Sequence, residues 1–378
     1  MLFSGLDDAV LLYPVYTILL ADHGLSDGQI SSLFVLWAGA SAILQIPAGT
    51  LADRTSRRRL LVVAAALRGL GFGLWVAVPS YPAFAAGFLL WSIKGALTGG
   101  TIDALVFEEL AAVGRADRYT ALTGRAATVS GAGILVATSL ATPALAAGGY
   151  ALVGYASVVV CAVQSLVALK FPEAPRVATS ESEGFAAYLA TLRSGISEVV
   201  RRPQLRRLVL VAGLGGLLAV DEYLPLLAKH AGVARSDIPL LLLLPTAATI
   251  VASALVGSGR WKALAAPLGV AALLIGGGAR SGSIGGVVAM GLGIGAFQLG
   301  QLVVEARVQH AVEGPARSTV TSVVEMLGEM TALLVFAVFG LAAGWLGLPL
   351  LCEIDALLVF AVAVYAALTI DRDSDRIR

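Results

Sequence analysis

Long apolar runs separated by short polar stretches dominate the pattern of this 378-residue chain. A helix that crosses a membrane needs about 20 mostly apolar residues, because the hydrocarbon layer is about 30 Å thick and the backbone must satisfy its own hydrogen bonds. We therefore predict an all-α integral membrane protein. Its twelve spanning helices are expected at residues 5–22, 28–52, 59–79, 82–109, 120–145, 149–171, 204–228, 237–257, 261–279, 283–311, 317–345 and 348–370.

The longest polar stretch, residues 172–203, divides these segments into two groups of six. This division predicts an N-terminal six-helix bundle at 1–171 and a C-terminal six-helix bundle at 204–378. Within the stretch, "FPEAPRVATSESEG" is typical of a flexible linker. The following "FAAYLATLRSGISEVVRR" has the apolar spacing of an amphipathic helix that lies on the membrane surface. That helix could tether the two bundles or bind a partner.

Two local signals mark where helices start and stop. Ser26 followed three residues later by Gln29 predicts a capping box at the start of the second helix. In the seventh segment, Asp221 and Glu222 precede Pro225, and a proline there would interrupt the helix and free a backbone carbonyl. We interpret this combination as an external gate that could bind protons or, equally, as a helix end with water-exposed acids.

Composition agrees with a membrane protein and excludes several other classes. The chain is 58% hydrophobic and 13% charged, and the charged fraction is about half that of a soluble domain. A net charge of +1 provides no positive field for nucleic acid. Cys161 and Cys352 both lie in apolar runs, so neither a disulfide framework nor a cysteine-based metal site is predicted. The N-terminus carries Asp7 and Asp8 where a cleaved signal peptide is basic, so the first apolar segment is expected to remain in the mature fold.

Sequence motifs for cofactor binding and catalysis are also missing. The sequence contains no glycine-rich phosphate loop with Lys-Ser/Thr, no H-E-x-x-H pair and no nucleophile elbow. We therefore expect no cofactor, no metal and no enzymatic activity.

The lysines and arginines are distributed very unevenly between the two sides of the predicted membrane. Most of the 26 basic residues fall in loops on the side of the N-terminus, whereas only Lys229, Arg235 and Arg280 fall on the other side. Because cytoplasmic loops carry an excess of basic residues, we expect both termini in the cytoplasm. The expected location is the plasma or inner membrane of the cell.

One loop motif carries a family resemblance. The turn predicted between the second and third helices reads "GTLADRTSRRRLL" at residues 49–61. It resembles the G-x-L-A-D-R-x-G-R-[RK]-x-x-L signature of the major facilitator superfamily, with Ser56 in place of the second glycine. The matching residues are Gly49, Leu51, Ala52, Asp53, Arg54, Arg57, Arg58 and Leu61. The resemblance implies a transporter, usually monomeric, in which two six-helix bundles surround a central cavity.

The wider pattern resembles the drug and metabolite efflux branch of that superfamily. The similar stretches are "YPVY", "GLSDGQISSLFVLW", "IPAGTLADR" and "TIDALVFEEL". The fifth helix, however, lacks the glycine-proline element that many antiporters of the family carry. This departure weakens the case for efflux by antiport.

The resemblance also implies a gating latch at the loop motif. In the family, the corresponding aspartate contacts the start of helix 11 and an acid at the end of helix 4, and it holds the two halves in the outward-facing state. The implied latch residues here are Gly49, Asp53, Arg54, Arg57, Arg58, Glu108 and Glu109. The alternative is that the arginines only anchor the topology of the chain.

The family fold would place helices 1, 4, 7 and 10 around the cavity, which draws attention to ionisable residues at membrane depth. Such residues cost at least a few kcal/mol unless they are paired or hydrated. In the fourth helix, Lys94 is expected near the middle of the membrane, and Asp103 about two and a half turns further along. We interpret Lys94 as a substrate or counter-ion site, with a structural ion pair as the alternative, and Asp103 as a candidate for proton coupling.

Helix 11 contributes two carboxylates, Glu325 and Glu329, which lie on one helical face. Two carboxylates so close together in a low dielectric cannot both ionise cheaply, so one of them is expected to hold a proton. We interpret them as proton-coupling residues. The alternative is that they pair with Lys94, Arg68 or Arg125.

Further polar residues are expected at the cavity or its mouths. Gln298 and Gln301 lie in a glycine-rich run of helix 10 and could bind substrate, although the glycines alone are explained by close helix packing. Near the mouth of helix 1, Asp7 and Asp8 could bind a proton or a cation, or could form a solvated site at the membrane interface. The neighbouring Tyr13 and Tyr16 are substrate candidates. Arg68 is expected to pair with an acid or to snorkel, and Glu305 is expected to form a charge network with Arg307.

We therefore hypothesise a secondary transporter that works by alternating access on a small-molecule substrate within the lipid bilayer. The first hypothesis is proton-coupled export of drug-like or amphiphilic metabolites. The second is proton-coupled uptake of a small anionic metabolite, for which Lys94 would be the charge partner. A non-transporting membrane receptor on the same fold is a third possibility.

Overall fold

Helices make up the secondary structure of the described residues, which are 1–173, 193, 196–257, 263–312 and 316–371 of a computed structural model. The α-helices before residue 174 are α1 Leu2–Asp8, α2 Tyr16–Asp22, α3 Asp27–Arg54, α4 Arg57–Ala77, α5 Tyr81–Thr98, α6 Thr101–Ala112 and α7 Tyr119–Leu169. Those after residue 202 are α8 Pro203–Gly213, α9 Leu224–His230, α10 Ile238–Gly257, α11 Ala265–Ser281, α12 Ile284–Ala311 and α13 Ala316–Ala366. Two 3₁₀ stretches, Ala116–Arg118 and Leu214–Tyr223, and a π-turn, Ala367–Asp371, connect or extend them.

Seven helical stretches in the described part of the chain are long and apolar enough to cross a membrane, and α11 is a shorter apolar helix. The helices α7 and α13 each run for 51 residues and are each broken by glycine. Gly149 has a φ of 60° and Gly347 a φ of 75°, a backbone conformation that glycine adopts without steric cost. Each helix therefore contains two arms of membrane-spanning length, which meet where segments five and six, and eleven and twelve, are predicted to be separated.

The prediction that the first and fourth segments are continuous helices is wrong. In the first segment, α1 ends at Asp8 and α2 begins at Tyr16, because Pro14 lacks an N–H and disfavours helix in the residues before it. In the fourth segment, α5 ends at Thr98 and α6 begins after Gly100, which has a φ of 68°. Lys94 and Asp103 therefore do not share one helical register.

The seventh segment is interrupted in a different way from the one predicted. Its middle, Leu214–Tyr223, is a 3₁₀-helix of ten residues, whereas 3₁₀ runs longer than three or four residues are uncommon. Pro225 lies in the first turn of α9, where a missing N–H costs nothing. The predicted interruption is present, but it precedes the proline and does not arise from it.

The chain divides into two compact units. Unit 1 consists of residues 1–25 and 33–185, and unit 2 of residues 26–32 and 186–378. In unit 1, α4 packs against α5 and α7, and α1 packs against α7. In unit 2, α11 packs against α12 and α13, α10 packs against α12, and the long 3₁₀ stretch packs against α13. The predicted bundle boundaries stay a prediction, and most of the predicted linker and amphipathic helix lies outside the described residues.

The start of α3 confirms the predicted capping box. The backbone N–H of Ser26 donates to Oε1 of Gln29 at 3.0 Å, and the backbone N–H of Gln29 donates to Oγ of Ser26 at 3.3 Å. These reciprocal bonds satisfy two backbone donors that a helix start otherwise leaves open.

Candidate functional site

A carboxylate in unit 1, Asp7, binds two cationic side chains. Its Oδ1 lies 3.0 Å from Nη1 of Arg68, and its Oδ2 lies 2.8 Å from Nζ of Lys94. Gln164 adds a third bond, because its Nε2 donates to Oδ1 of Asp7 at 2.8 Å. The three partners come from α4, α5 and the second arm of α7, so this carboxylate links four segments of unit 1.

Arg68 is completely buried and is held from several directions. Besides its bond to the Asp7 carboxylate, it donates to the Asp7 backbone oxygen at 2.8 Å, the Tyr13 hydroxyl at 2.7 Å and Oε1 of Gln164 at 2.6 Å. The Asp7 carbonyl is open to this bond because α1 ends at Asp8, and the last carbonyls of a helix have no intrahelical partner. The break in the first segment thus supplies part of the site.

Lys94 is held much more weakly than Arg68. It is 7% exposed, and its ammonium group bonds only to Asp7 among the residues that the structure describes. Among the described residues Arg68 has three acceptors besides the carboxylate, whereas Lys94 has no other hydrogen-bond acceptor and interacts with the Asp8 carboxylate only electrostatically. A change in the charge of Asp7 would therefore leave Arg68 in place and release Lys94.

The rest of the broken first segment is also hydrogen-bonded to its neighbours. Ser130 donates to the Asp8 carboxylate, and the backbone N–H of Leu12 donates to Oγ of Ser157 at 3.0 Å. These bonds satisfy polar groups that a membrane interior would penalise. The non-helical stretch before α2 is therefore built into the unit, with α7 bound at Asp8 just before it and at Leu12 within it.

The two tyrosines predicted to bind substrate lie in one aromatic cluster. Tyr16 is buried, with 4% exposure, and packs its ring against Phe34, Phe88 and Trp91. Tyr13 is half-buried and stacks on Trp91 with ring centroids 5.1 Å apart. Tyr13 therefore touches the aromatic cluster with its ring and the charged network with its hydroxyl.

Two arginines of the predicted latch bind partners within unit 1. Nη1 of Arg57 lies 2.8 Å from Oε1 of Glu108, and Nη1 of Arg58 donates to the backbone oxygen of Phe171 at 3.3 Å. Gly49 lies within α3 and faces open space. The side chains of Asp53 and Arg54 lie outside the described residues, and Glu109 is half-buried. The latch as a whole stays a prediction.

Ser56, where this chain departs from the family signature, has a structural role. It is the N-cap of α4 and accepts a hydrogen bond from the backbone N–H of Arg59 at 3.1 Å. Its hydroxyl also donates to the carboxylate of Glu173 at 2.5 Å. Ser56 thus adds a helix cap and a contact to the segment after α7, neither of which the side chain of glycine could make.

Two of the acids predicted for proton coupling, Glu325 and Glu329, lie on α13 in unit 2 and close to Glu305 of α12. Glu325 of α13 and Glu305 of α12 line a cavity of about 370 Å³, together with Gln309 and Thr321. Glu329 follows one turn after Glu325. In the described part of the chain none of these three carboxylates has an ion-pair partner. Nη2 of Arg307 lies 2.9 Å from Oδ1 of Asp371, and no direct pair joins Arg307 to Glu305 within the described residues. The charge network expected at this end of the helix stays a prediction.

The remaining predicted residues are spread over both units. Asp103 is exposed and interacts with the Tyr119 hydroxyl in unit 1. In unit 2, Asp221 and Glu222 are half-buried in the 3₁₀ stretch, and Gln298 is half-buried on α12. Gln301 is 5% exposed, and its Oε1 faces Gly215 of the same 3₁₀ stretch. The residues that the structure does bring together are Lys94 and Tyr13, with Asp7 and Arg68 between them.

Sequence reasoning missed one residue of the network, Gln164. It is fully buried, and it bonds to both Asp7 and Arg68. The signal was present, because an amide in the apolar run "VVVCAVQSLVAL" must find hydrogen-bond partners inside the protein. Its partners could not be read from the sequence, since Asp7 lies 157 residues away.

The comparisons with known proteins identify the family. The sequence profile of the Major Facilitator Superfamily matches residues 1–328. This protein belongs to the major facilitator superfamily. It is accordingly a multi-pass membrane protein and a secondary transporter of small molecules, not an enzyme. A search of curated protein sequences finds no significant match.

Solved structures show the same fold at low sequence identity. The nucleoside transporter NupG superposes with a TM-score of 0.75 and 14% identity, covering 97% of this chain and 96% of that one. A bacterial homologue of the human lysosomal transporter Spinster, in an inward-facing and occupied conformation, superposes with a TM-score of 0.71 and 13% identity. The superposition covers 98% of this chain and 96% of that one. A D-xylose-proton symporter superposes with a TM-score of 0.65 and 15% identity, covering 95% of this chain and 94% of that one. These superfamily structures do not favour the efflux branch in particular.

Proposed function

We propose that this protein is a proton-coupled symporter, in which Asp7 exchanges the proton and Lys94 responds by binding the substrate. The observation that supports the proposal most is that Arg68 has several hydrogen-bond acceptors, whereas Lys94 depends on Asp7. Arg68 keeps three acceptors when Asp7 loses its charge, whereas Lys94 loses its only one among the described residues.

The coupling follows from the cost of a buried charge without a partner. Breaking one half of a buried ion pair costs about 3–5 kcal/mol, because the remaining charge has no compensation. When a proton neutralises Asp7, Lys94 needs another acceptor, and a carboxylate or similar group of the substrate can supply it. When Asp7 gives up the proton, its carboxylate competes for Lys94 and the substrate is released. Proton and substrate then bind and leave together.

The same geometry argues against free exchange of an anion. With Asp7 ionised, Lys94 is already neutralised at 2.8 Å, so an anion would have to displace a preorganised carboxylate. The proton removes that competitor. This proposal corresponds to the uptake hypothesis, with protons moving down their gradient together with an acceptor-bearing substrate. The family resemblance is consistent with it, because one of the similar structures is a D-xylose-proton symporter.

Proteoliposomes containing the pH-sensitive dye pyranine test this proposal. Uridine, D-xylose and indole-3-acetate would be added outside, one at a time, without an imposed gradient. We expect at least one of them to acidify the interior of liposomes with the native protein faster than that of protein-free liposomes, and to be taken up by Asp7→Asn without this additional acidification. The matched control is Glu353→Gln, since that carboxylate forms a solvent-exposed pair with Arg280 in unit 2 and should leave coupling intact.

Export by antiport is the second candidate, because the sequence resembles the efflux branch. It makes the opposite prediction in the same assay, since an exported compound added outside would drive protons out and raise the internal pH. Uptake of a compound without any proton movement by the native protein would contradict both candidates.

A further inference from the structure

Unit 1 contains a cluster of nine aromatic rings in which Trp91 is central. Its ring lies within 6.2 Å of six others, which belong to Tyr13, Tyr16, Trp37, Phe72, Trp75 and Phe88. Most of the cluster is core, because Tyr16, Phe34, Phe72, Trp75, Phe84 and Phe88 are buried. The half-buried rings are Tyr13, Trp37 and Trp91. These three rings keep accessible aromatic surface where the cluster meets the surface of the unit.

Trp91 packs against both of the other half-buried rings, nearly parallel to Tyr13 and tilted relative to Trp37. Trp91 stacks on Tyr13 with an interplanar angle of 10°, and it lies 5.2 Å from Trp37 at an angle of 32°. The hydroxyl of Ser92 donates to the backbone oxygen of Trp37 at 2.9 Å and so joins α5 to α3 beside the rings. The surface is therefore preorganised, and a planar ligand would bind it with little loss of side-chain freedom.

Two further observations distinguish these rings from the core. The buried Trp75 donates its indole N–H to the Phe84 backbone oxygen at 3.1 Å, whereas the indole N–H groups of Trp37 and Trp91 make no hydrogen bond within the described chain. Trp91 also precedes Lys94 by three residues, which places both on one face of α5. Aromatic surface, unused donors and a releasable cation thus lie side by side.

We infer that Tyr13, Trp37 and Trp91 form a stacking platform for the transported substrate, which is a planar aromatic or heteroaromatic compound with a carboxylate or similar acceptor. The ring of the substrate stacks on the platform, and its acceptor binds Lys94. This inference rests on the proposed function for the role of Lys94. The platform itself depends only on the arrangement of the rings.

Calorimetric titration of the protein in lipid nanodiscs, at acidic and at neutral pH, tests the inference. The probes are indole-3-acetate and 1-naphthoate, each compared with cyclohexylacetate, which has the same charge but no planar ring. Aromatic pairs contribute about 0.5–1.5 kcal/mol beyond area burial, so we expect the aromatic probes to bind about 2-fold to 12-fold more tightly than cyclohexylacetate. Trp91→Leu should abolish this preference and leave the pH dependence of binding unchanged.

The controls separate the platform from folding and from coupling. Trp345→Leu removes a tryptophan of unit 2 that is 90% exposed and should keep the preference. If Trp91→Leu is not monodisperse, Trp37→Leu is used in its place. Trp91→Phe, which keeps an aromatic ring, should retain most of the preference for aromatic probes. Lys94→Met should remove the pH dependence of binding but not the preference for aromatic probes.

Several outcomes would overturn the inference. It is wrong if the native protein binds none of the aromatic probes, if it binds cyclohexylacetate equally well, or if Trp91→Leu still prefers aromatic probes. If the preference for aromatic probes is present but binding is independent of pH, the platform stands and the proposed coupling through Asp7 fails. If binding depends on pH but shows no preference for aromatic probes, the proposed coupling stands and the platform is wrong.

Discussion

In unit 1, the carboxylate of Asp7 holds two buried cations, whereas in unit 2 Glu305, Glu325 and Glu329 lie near a cavity with no cation bound among the described residues. An ion taken out of water needs either a partner or retained hydration. Unit 1 uses partners, so its charges are part of the packing. Unit 2 has a cavity of about 370 Å³ that can hydrate its acids. Loss of a charge should therefore disturb the structure in unit 1 far more than in unit 2.

The largest expected effect is that of Asp7→Ala. The change leaves Arg68 and Lys94 as buried cations without a carboxylate, and we expect the free energy of unfolding to fall by about 3–5 kcal/mol. Denaturant unfolding in mixed micelles would measure it. The double variant Asp7→Ala/Lys94→Met should recover part of the loss, because one orphaned cation is then removed. An Asp7→Ala protein as stable as the native one would contradict the claim that the paired charges of unit 1 stabilise its packing.

Gln164→Leu should have the next largest effect. The change removes bonds to Asp7 at 2.8 Å and to Arg68 at 2.6 Å, both of which involve charged groups. Since such bonds are worth about 1.5–3 kcal/mol each and Leu recovers some packing, we expect a net loss of about 2–3 kcal/mol in the same assay. Gln298→Leu is the control, because that amide makes no hydrogen bond in the described chain, and it should change the stability by less than about 0.5 kcal/mol. Equal effects of the two changes would contradict the assigned network.

Unit 2 should be more sensitive to volume than to charge. A Cβ on Gly216 would overlap the backbone oxygen of Gly328 and lie 2.5 Å from the backbone nitrogen of Ala332. Gly216→Ala must separate the 3₁₀ stretch from α13, and overpacking of this kind costs about 1–3 kcal/mol. Thermal unfolding would measure it, with Gly344→Ala as the control because nothing lies within 4 Å of a Cβ there. A Gly216→Ala variant no less stable than Gly344→Ala would mean that this contact is not tight.

The smallest expected effect is that of Glu325→Gln. The change removes a like charge beside Glu305 and Glu329 and breaks no ion pair in the described part of the chain, so we expect stability to stay within about 0.5 kcal/mol of the native value or to rise slightly. A loss of more than about 2 kcal/mol would show that Glu325 binds a cation that stabilises unit 2. Denaturant unfolding of Glu325→Gln and Asp7→Asn side by side compares the two units directly.

The apolar pattern predicted most helix boundaries because length and hydropathy are local properties of the chain. The separation of the two arms of α7 at Gly148–Gly149, and of α13 at Gly347, follows directly from it. The breaks in the first and fourth segments were missed, because the apolar run continues through Pro14 and Gly100. Hydropathy does not register a backbone break that buried hydrogen bonds stabilise.

The candidate site was only partly predictable. Lys94, Asp7 and Arg68 stand out as ionisable residues in apolar segments, and an acid was expected for Arg68. Which acid binds which base depends on the packing of α1, α4, α5 and α7, and no local pattern encodes it. The same criterion also selected Glu325 and Glu329, whereas the carboxylate that binds Arg68 and Lys94 lies in unit 1.

The 3₁₀ stretch Leu214–Tyr223 has a mechanical consequence. A 3₁₀-helix rises about 2.0 Å per residue and turns 120°, whereas an α-helix rises about 1.5 Å and turns 100°. Conversion of its ten residues to α geometry would shorten the segment by about 5 Å and unwind it by about 200°. Asp221 and Glu222 lie at its far end, so the conversion would both translate and rotate them, with the backbone hydrogen-bonded in the 3₁₀ and in the α form.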